Sequence, residues 1–480
     1  MKKSLSYILL LGFSISSCSF EKEGLMISGS LPDFNNESLI ERAASDSMVY
    51  GNFSQDRYDV SCSMMIDYIG LAMPEKEISS IEPFLKEEKT IAWIVNFNPG
   101  WAIVSADTRT RPILAKSETG DFQADIENNP SLKDWIANYW DELLYIKTSD
   151  KEVGEEYLSL WDILSPYNEK EIKTKADETN IWVRITTGYS HTLLSHQFVD
   201  HLITTKWGLS SPWNCNVPYY YTQSPSNRCQ VGCVAVATGQ ILYYMHYKDN
   251  VPNGLYETVN NSHVLEFGGQ NLYFSRSDYN SNSGRWDLMA TDSCSTLNFS
   301  YVGDLLGDIG NEVHMNYGTE ASWAYDSYVP FALNNHGLSS STLQPFSYDS
   351  VKSEIASGYP VYLRASSNQG GGHAFIGDSF EESQYLYTVN YEWHMYPTLN
   401  DIPSGLNYSF YLTDEDMQTY DPNMYEGKMT SSSSVLTYKY LYMNWGFDGY
   451  QDNVACSPTS TWLPQEFEGP SMITNIRPSN

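Results

Sequence analysis

The fold of this chain is decided by a short apolar stretch, GCVAVATGQI at residues 232–241. Its small and apolar residues predict a buried helix that begins at Cys233. A thiol at a helix N-terminus lies in the positive end of the helix dipole, which favours the thiolate, the nucleophilic form of cysteine. A buried structural cysteine is also common, so this stretch alone leaves both interpretations open.

A second stretch, GGGHAF at residues 370–375, places His373 after three glycines and at the start of a predicted strand. Glycines allow the backbone to approach closely beside the imidazole. Imidazole is the usual group that deprotonates a thiol. The alternative is a histidine that is satisfied in the core or at the surface, beside a flexible glycine loop.

A third stretch, NWGFDG at residues 444–449, supplies an amide and an indole. The amide of Asn444 can orient an imidazole, and the indole of Trp445 can shield that hydrogen bond from water. A tight turn with a core tryptophan would give the same residues. None of the three stretches is specific alone, and the inference comes from their joint occurrence in the order Cys, His, Asn-Trp.

Composition, net charge and missing motifs argue against several other classes of function. Hydrophobic residues make up 41% of the 480 residues and charged residues 18%, which is typical of a packed globular protein. The net charge of −31 argues against nucleic acid, because a phosphate backbone is bound by clustered Lys and Arg. The sequence lacks a His-Glu-x-x-His motif, a Gly-x-Ser-x-Gly elbow and a phosphate loop.

The first residues have the pattern of an export signal. A basic start at Lys2 and Lys3 is followed by an apolar run over 5–15 that is too short for an ordinary membrane span. The run ends in ISSC at residues 15–18, which resembles a bacterial lipoprotein signal. We expect cleavage after residue 17, a lipid on Cys18 and an anchor on the outer membrane, on its periplasmic or its outer side. A plain secretory signal is the alternative.

The remaining chain divides into a tether at 18–35, a first module at 36–165, a charged linker at 166–192 and a second module at 193–480. In the first module, short apolar runs over 91–104 predict a β-hairpin and helical spacing over 132–146 predicts a helix. The charged linker is expected to be exposed and open to maturation by proteolysis. An irregular stretch over 394–436 is expected to be a long surface loop. Six cysteines besides Cys18 leave both disulfides and a free thiol open.

The three motifs together resemble the streptopain family of bacterial cysteine peptidases, with Phe447 in place of the family's second tryptophan. Further family-like segments lie at residues 206–214 (KWGLSSPWN), 315–318 (MNYG) and, in the first module, 101–107 (WAIVSAD). The resemblance extends over nearly all of the chain after residue 40.

The resemblance implies an α+β fold, in which a papain-like, two-lobed peptidase domain follows a small α+β propeptide domain. It also implies a monomeric, exported endopeptidase that cuts proteins and peptides, uses no metal or organic cofactor, and is held inactive by its own propeptide at 36–165. In this mechanism Cys233 attacks the scissile carbonyl, His373 carries the proton, Asn444 orients His373 and Trp445 covers the pair. The backbone N–H of Cys233 helps to hold the oxyanion.

The sequence also departs from the family at the position of an oxyanion donor. Relatives carry a glutamine that donates to the oxyanion before the Pro-aromatic-Asn segment, whereas the matching residue here is Leu209. Ser210 and Gln230 are candidate replacements, and a backbone N–H or water is the alternative. This departure also supports a second hypothesis, a weak or inactive peptidase scaffold on the surface that binds proteins or peptides.

Overall fold

The computed structural model describes residues 27–29, 58–149, 157, 160–161, 180–219, 227–251, 264–267, 270–273, 285–365, 372–403, 408–458 and 469–479. Within these ranges no helix has both the length and the apolar composition that crossing a bilayer requires. The predicted signal at 1–17 and the predicted lipid site Cys18 lie outside the described residues.

The first module is an antiparallel sheet with helices on both faces. Its elements, after a short strand β1 (Ile27–Gly29), are α1 (Cys62–Ala72), β2 (Ile78–Lys86), β3 (Lys89–Phe97), β4 (Trp101–Ser105), β5 (Ile113–Ser117), α2 (Phe122–Asn128) and α3 (Pro130–Thr148). Strands β3 and β4 confirm the predicted hairpin, and α3 confirms the predicted helix. Helix α1 packs on one face of the sheet and α3 on the other, because side chains alternate between the two faces along each strand.

Local signals explain the hairpin turn and the start of α3. Gly100 has a φ of +100°, and a Cβ atom there would lie 2.4 Å from the carbonyl oxygen of Ser117, so only glycine fits. At the start of α3, the side chain of Asn129 accepts a hydrogen bond from the N–H of Leu132. Pro130 occupies the first turn of the helix, where its missing N–H costs nothing.

The second module combines helices and long strands. Its elements are β6 (Ile181–Val199), α4 (Cys233–Asp249), β7 (Val264–Phe267), β8 (Gln270–Tyr273), α5 (Arg285–Leu288), α6 (Phe299–Glu312), a 3₁₀ turn (Asp326–Tyr328), α7 (Val329–Asn335), β9 (Leu338–Ser339), β10 (Gln344–Pro345), α8 (Tyr348–Ala356), β11 (Val361–Ala365), β12 (His373–Tyr396), a 3₁₀ turn (Leu399–Asp401), β13 (Tyr408–Thr413), α9 (Asp414–Tyr420), β14 (Lys428–Asn444), β15 (Ala455–Cys456), β16 (Ser471–Ile473) and β17 (Arg477–Pro478).

One sheet runs through both modules. Its strands follow the order β10-β16-β11-β12-β14-β15-β5-β4-β3-β2, and β6 pairs with β12 as well. The two modules join where β5 pairs with β15, with Ala115 opposite Cys456 and Lys116 opposite Ala455. Helices α4, α6 and α7 form a separate apolar cluster on the face of β11 and β12 that carries Ala374. The α+β class predicted from the sequence is confirmed.

Two segments differ from their predictions. Residues 181–192, predicted to be part of an exposed linker, belong to β6, which pairs along β12. The stretch 394–436 is not one long loop, because it contains the end of β12, β13, α9 and the start of β14. The serine run 431–434 pairs with residues 387–390 of β12. A strand with one exposed face alternates polar and apolar side chains, and serine can occupy the polar positions as well as other polar residues can. A serine-rich stretch can therefore form a strand although its composition suggests a loop.

Candidate active site

Helix α4 presents Cys233 as its first residue, as the sequence predicts. The residue before it, Gly232, has a φ of +91°, and a Cβ atom there would lie 2.6 Å from the Cε atom of Met315. Gly232 is therefore required for the chain to turn into the helix. The N-terminus of α4 has no side-chain cap, so its backbone N–H groups face the thiol rather than a capping oxygen.

Opposing effects act on the thiol of Cys233. Burial raises its pKa to about 11, and the charge of Asp326 adds to this, while hydrogen bonds from the backbone N–H groups of Ala374, Val234 and Cys233 itself lower it. Burial outweighs the hydrogen bonds, so the sulfur is a neutral thiol at neutral pH. Cys233 packs against the apolar cluster that contains Ala374, the residue after His373.

The imidazole of His373 has a partner from the first module. Its Nδ1 atom lies 2.8 Å from Oδ2 of Asp134 on α3. The ring centroid of His373 lies 6.2 Å from that of Phe447. Among the described residues, the hydrogen-bond partner of the imidazole is thus a propeptide carboxylate and not the thiol of Cys233.

Asn444 is buried and fully engaged by neighbours other than His373. Its Oδ1 atom accepts from Nε2 of Gln240 at 2.9 Å and from the N–H of Gly446 at 3.2 Å, and its amide donates to the carbonyl of Thr205 at 2.8 Å. The predicted contact between Asn444 and His373 is absent from the described residues, because these three groups hold the amide in the core. The role of Asn444 in orienting the imidazole stays a prediction.

Trp445 is completely buried beside the histidine strand. Its ring centroid lies 4.9 Å from that of Phe375, and its indole N–H donates to the carbonyl of Gln451. The side chain of Trp445 therefore fills the core behind β12, and its role as a cover for the Cys–His pair remains a prediction.

Sequence reasoning missed Gln240, which lies two turns along α4 from Cys233. Its Oε1 atom accepts from the hydroxyl of Thr205 at 2.9 Å and from the N–H of Trp207 at 3.3 Å, and its amide donates to Asn444. Gln240 thus ties the nucleophile helix to the Asn444 turn. A glutamine in an otherwise apolar helical stretch was the signal that could have found it, since buried amides need partners.

Leu209 and the two candidate replacements lie on two segments, because Ser210 directly follows Leu209 and Gln230 lies three residues before Cys233. The carbonyl of Leu209 accepts from the N–H of Val231, so this leucine lies next to the segment that leads to Cys233. Gln230 donates its amide to the carbonyl of Thr319 at 3.3 Å. Ser210 is exposed. The geometry assigns no oxyanion role to either substitute.

The first module also grips the loop that follows Trp445. The hydroxyl of Ser131 donates to the carbonyl of Trp445 at 3.1 Å, and the amide of Asn129 donates to the carbonyl of Tyr450 at 3.0 Å. These bonds come from the first turn of α3, which also carries Asp134. One helix end therefore holds both the Asn444-Trp445 turn and the imidazole of His373.

The cysteines of the described residues are all free, with Cys294 exposed and Cys229 and Cys456 buried. Of the two possibilities that the sequence left open, the free thiol is the one that the described residues show. Within those residues no cluster of three or more His, Cys, Asp or Glu side chains is arranged to hold a metal ion.

Comparisons with known proteins agree with the two-module organisation. Residues 207–395 match the model of the peptidase C10 family, and residues 72–143 match the model described as Spi protease inhibitor. The peptidase match contains Cys233 and His373, and the inhibitor match contains Asp134. The class is thus a cysteine peptidase with a propeptide of its own.

The chain is similar to the streptopain family of papain-like cysteine peptidases. It is 24% identical over 313 residues to streptopain of Streptococcus pyogenes serotype M28 (strain MGAS6180), which covers 61% of this chain and 69% of the relative. A second Streptococcus pyogenes streptopain is 25% identical over the same length.

Two solved structures are also similar. A prointerpain A fragment from Prevotella intermedia is 17% identical with a TM-score of 0.48, covering 84% of this chain and 100% of that chain. Active interpain A of the same organism is 18% identical with a TM-score of 0.33, covering 58% and 95%.

Proposed function

We propose that this chain is an exported cysteine endopeptidase in which Cys233 is the nucleophile and His373 is its base. The observation that carries the proposal is that Cys233, the first residue of α4, packs against the apolar cluster that contains Ala374, the residue after His373. This packing joins the start of α4 to the start of β12, so the thiol lies beside the strand that begins with His373. The family match supports the peptidase class, and the resemblance to streptopain supports the endopeptidase type.

The reaction follows from these two groups. In the active form the proton of Cys233 resides on the imidazole of His373, and the thiolate attacks the carbonyl carbon of the scissile bond. The carbonyl oxygen becomes an oxyanion, to which the N–H of Cys233 donates. The imidazolium of His373 gives its proton to the leaving amine as the C–N bond breaks. Water, deprotonated by His373, then hydrolyses the thioester and restores the thiol.

The first module keeps this chemistry from starting. The carboxylate of Asp134 holds the imidazole nitrogen of His373, and burial keeps Cys233 a neutral thiol. A protonated thiol is a poor nucleophile. While the first module is in place, the contact with Asp134 occupies Nδ1 of His373, so this nitrogen does not take the proton of the thiol. Proteolytic removal of the first module would release His373 from Asp134.

Export and lipid attachment at Cys18 are part of the proposal, supported by the basic start, the short apolar run and the ISSC sequence. A Cys18→Ser variant should move from the membrane fraction to the soluble fraction of bacteria that express the full chain. A variant that fractionates as the wild type does would rule out the lipid anchor and leave the peptidase proposal untouched.

The test of the peptidase is digestion of casein by the matured full chain, beside Cys233→Ala and Cys294→Ala. The wild type and Cys294→Ala should cut casein into internal fragments, and Cys233→Ala should be inactive but folded. If Cys233→Ala digests casein as fast as the wild type does, Cys233 is not the nucleophile. If no form digests casein yet the protein binds casein, the binding-scaffold hypothesis replaces this one.

A further inference from the structure

An ion pair that the proposed mechanism does not use lies beside the thiol. The guanidinium Nε of Arg364 is 3.0 Å from Oδ2 of Asp326. The side chain of Asp326 is 7% exposed, whereas that of Arg364 is 38% exposed. The charge of Asp326 acts on the thiol of Cys233, which places the pair in the immediate surroundings of the nucleophile.

Strand register places Arg364 on the same face as the thiol. Arg364 of β11 lies directly opposite Ala374 of β12, a residue of the apolar cluster against which Cys233 packs. Residues opposite each other in an antiparallel pair point to the same face. Ala374 packs into the apolar cluster around α4, so Arg364 projects from that face at the end of β11 next to Cys233.

Both oxygens of Asp326 have a partner. Its Oδ1 atom accepts from the hydroxyl of Tyr362, which is completely buried, and its Oδ2 atom forms the ion pair with Nε of Arg364. The outward part of the pair is therefore the guanidinium edge with the two Nη atoms, which make no hydrogen bond within the described part of the chain. An acid that is buried behind an arginine fixes that arginine in one orientation.

Exposed aromatic side chains lie on the segment that leads to this pair. Trp323 is 51% exposed and Tyr325 is 63% exposed, with ring centroids 5.6 Å apart in an edge-to-face arrangement. The preceding residue, Ser322, donates its hydroxyl to the carbonyl of Gln230 on the way to Cys233. An aromatic wall beside an oriented arginine is typical of a surface that binds peptides.

We propose that Arg364 forms a specificity subsite that binds an acidic side chain, Asp or Glu, of the peptide substrate near the scissile bond. A guanidinium fork and a carboxylate are matched for two parallel hydrogen bonds. Asp326 and Tyr362 are positioning residues, which hold the fork toward the substrate. The inference rests on the proposed function, because it names the substrate class of the same site.

The experiment uses pairs of peptides that contain one cleavable bond and differ at one position, which is Glu in one peptide and Gln in the other. Each pair tests a different position before or after that bond. The matured full chain should have a kcat/KM roughly tenfold higher for the Glu peptide at one position, since a hydrogen bond to a charged group contributes about that factor. Arg364→Gln should lose this preference, so that its kcat/KM values for the Glu and Gln peptides become equal. Arg364→Lys should keep part of the preference, and Arg364→Glu should favour a Lys peptide instead.

The matched control is Arg477→Gln, which breaks a comparable ion pair with Glu354, 2.7 Å long, away from Cys233. This variant should keep the wild-type preference for Glu. If the wild type cuts the Glu and Gln peptides equally well at every position, or Arg364→Gln keeps the preference, the subsite is wrong while the peptidase stands. If the wild type cuts none of the peptides, the proposed function fails, and the subsite fails with it.

Discussion

The Nδ1 atom of His373 lies 2.8 Å from Oδ2 of Asp134, a residue 239 positions earlier in the chain. This contact crosses from the helix of the first module to the first residue of the histidine strand. It occupies one of the two nitrogens that could accept the proton of Cys233. Asp134 is thus a carboxylate of the first module that directly contacts a proposed catalytic residue of the second module.

Replacing Asp134 with alanine should weaken the autoinhibition. His373 then loses its partner, so the imidazole is free to reach the thiol, and the full chain should mature roughly tenfold faster, because a charge-assisted hydrogen bond contributes about that factor. The measurement is the time course of conversion of the full chain on a gel. Asp141→Ala, on the same helix and paired with Lys86 at 2.6 Å, is the matched control and should mature at the wild-type rate. Equal rates for Asp134→Ala and the wild type would show that Asp134 does not restrain His373.

The thiol of Cys233 should be unreactive in the zymogen at neutral pH. Burial raises its pKa to about 11, so the thiolate fraction at pH 7 is negligible and grows as the pH rises toward 11. Labelling by iodoacetamide, followed by mass spectrometry, should speed up with pH in the full chain. At pH 7 the rate should increase at least roughly a hundredfold after maturation, when His373 and solvent reach the sulfur. Exposed Cys294 serves as the internal reference. Equal labelling rates of Cys233 before and after maturation would contradict this account.

The sequence predicted the elements whose formation depends on residues close together in the chain. The apolar spacing of α3 and the glycine turn of the β3–β4 hairpin predicted both elements, since each depends on neighbours within a few residues. The strand nature of residues 181–192 and 431–434 was missed, because polar residues on an exposed strand lack the alternation of apolar side chains. Their pairing with β12 comes from partners far away in the chain.

The same limit applies to the site. The order Cys233, His373, Asn444 was readable because each residue stands in its own motif. The contact of Asp134 with His373 depends on how two separately folded units dock, and no local pattern encodes that. The hydrogen bond between Gln240 and Asn444 likewise joins residues 204 positions apart.

A buried charge cluster behind the site should make stability depend on pH. Burial lowers the pKa of His201, but the hydrogen bond and the charge of completely buried Asp378 raise it to about 9, and Asp452 and Asp200 add to this. The folded-state pKa therefore exceeds the unfolded value of about 6.5. The stabilisation is fully present below pH 6.5 and is lost as the pH rises through 9.

His201→Gln should therefore lower the free energy of unfolding by roughly 2–3 kcal/mol at pH 6 and have little effect at pH 10. The measurement is urea unfolding of the wild type and the variant at both values. Burial raises the pKa of Asp452 to about 7, and Asp452 interacts with His201, so the measured difference includes the loss of this interaction. His196→Gln, on the exposed edge of β6 with Ser383 as its partner, is the control and should show a smaller pH dependence. An equal loss at both pH values would mean that the charge of His201 does not stabilise the fold.

Leu209 is the position at which a substitution should improve the enzyme. Its backbone is bonded to Val231, two residues before Cys233, and its side chain packs against the apolar cluster around α4. Leucine cannot donate to the oxyanion, and losing one such donor costs on the order of 3–4 kcal/mol, or about 10²–10³-fold in rate. Leu209→Gln should therefore speed single-turnover acylation by a peptide ester at least about tenfold. Leu209→Met, which is also apolar and of similar volume, should not.

Gln230 already donates its amide to Thr319, so Gln230→Ala should leave the rate within about threefold. If Leu209→Gln has no effect and Ser210→Ala or Gln230→Ala lowers the rate a hundredfold instead, the oxyanion site has been rebuilt around that residue.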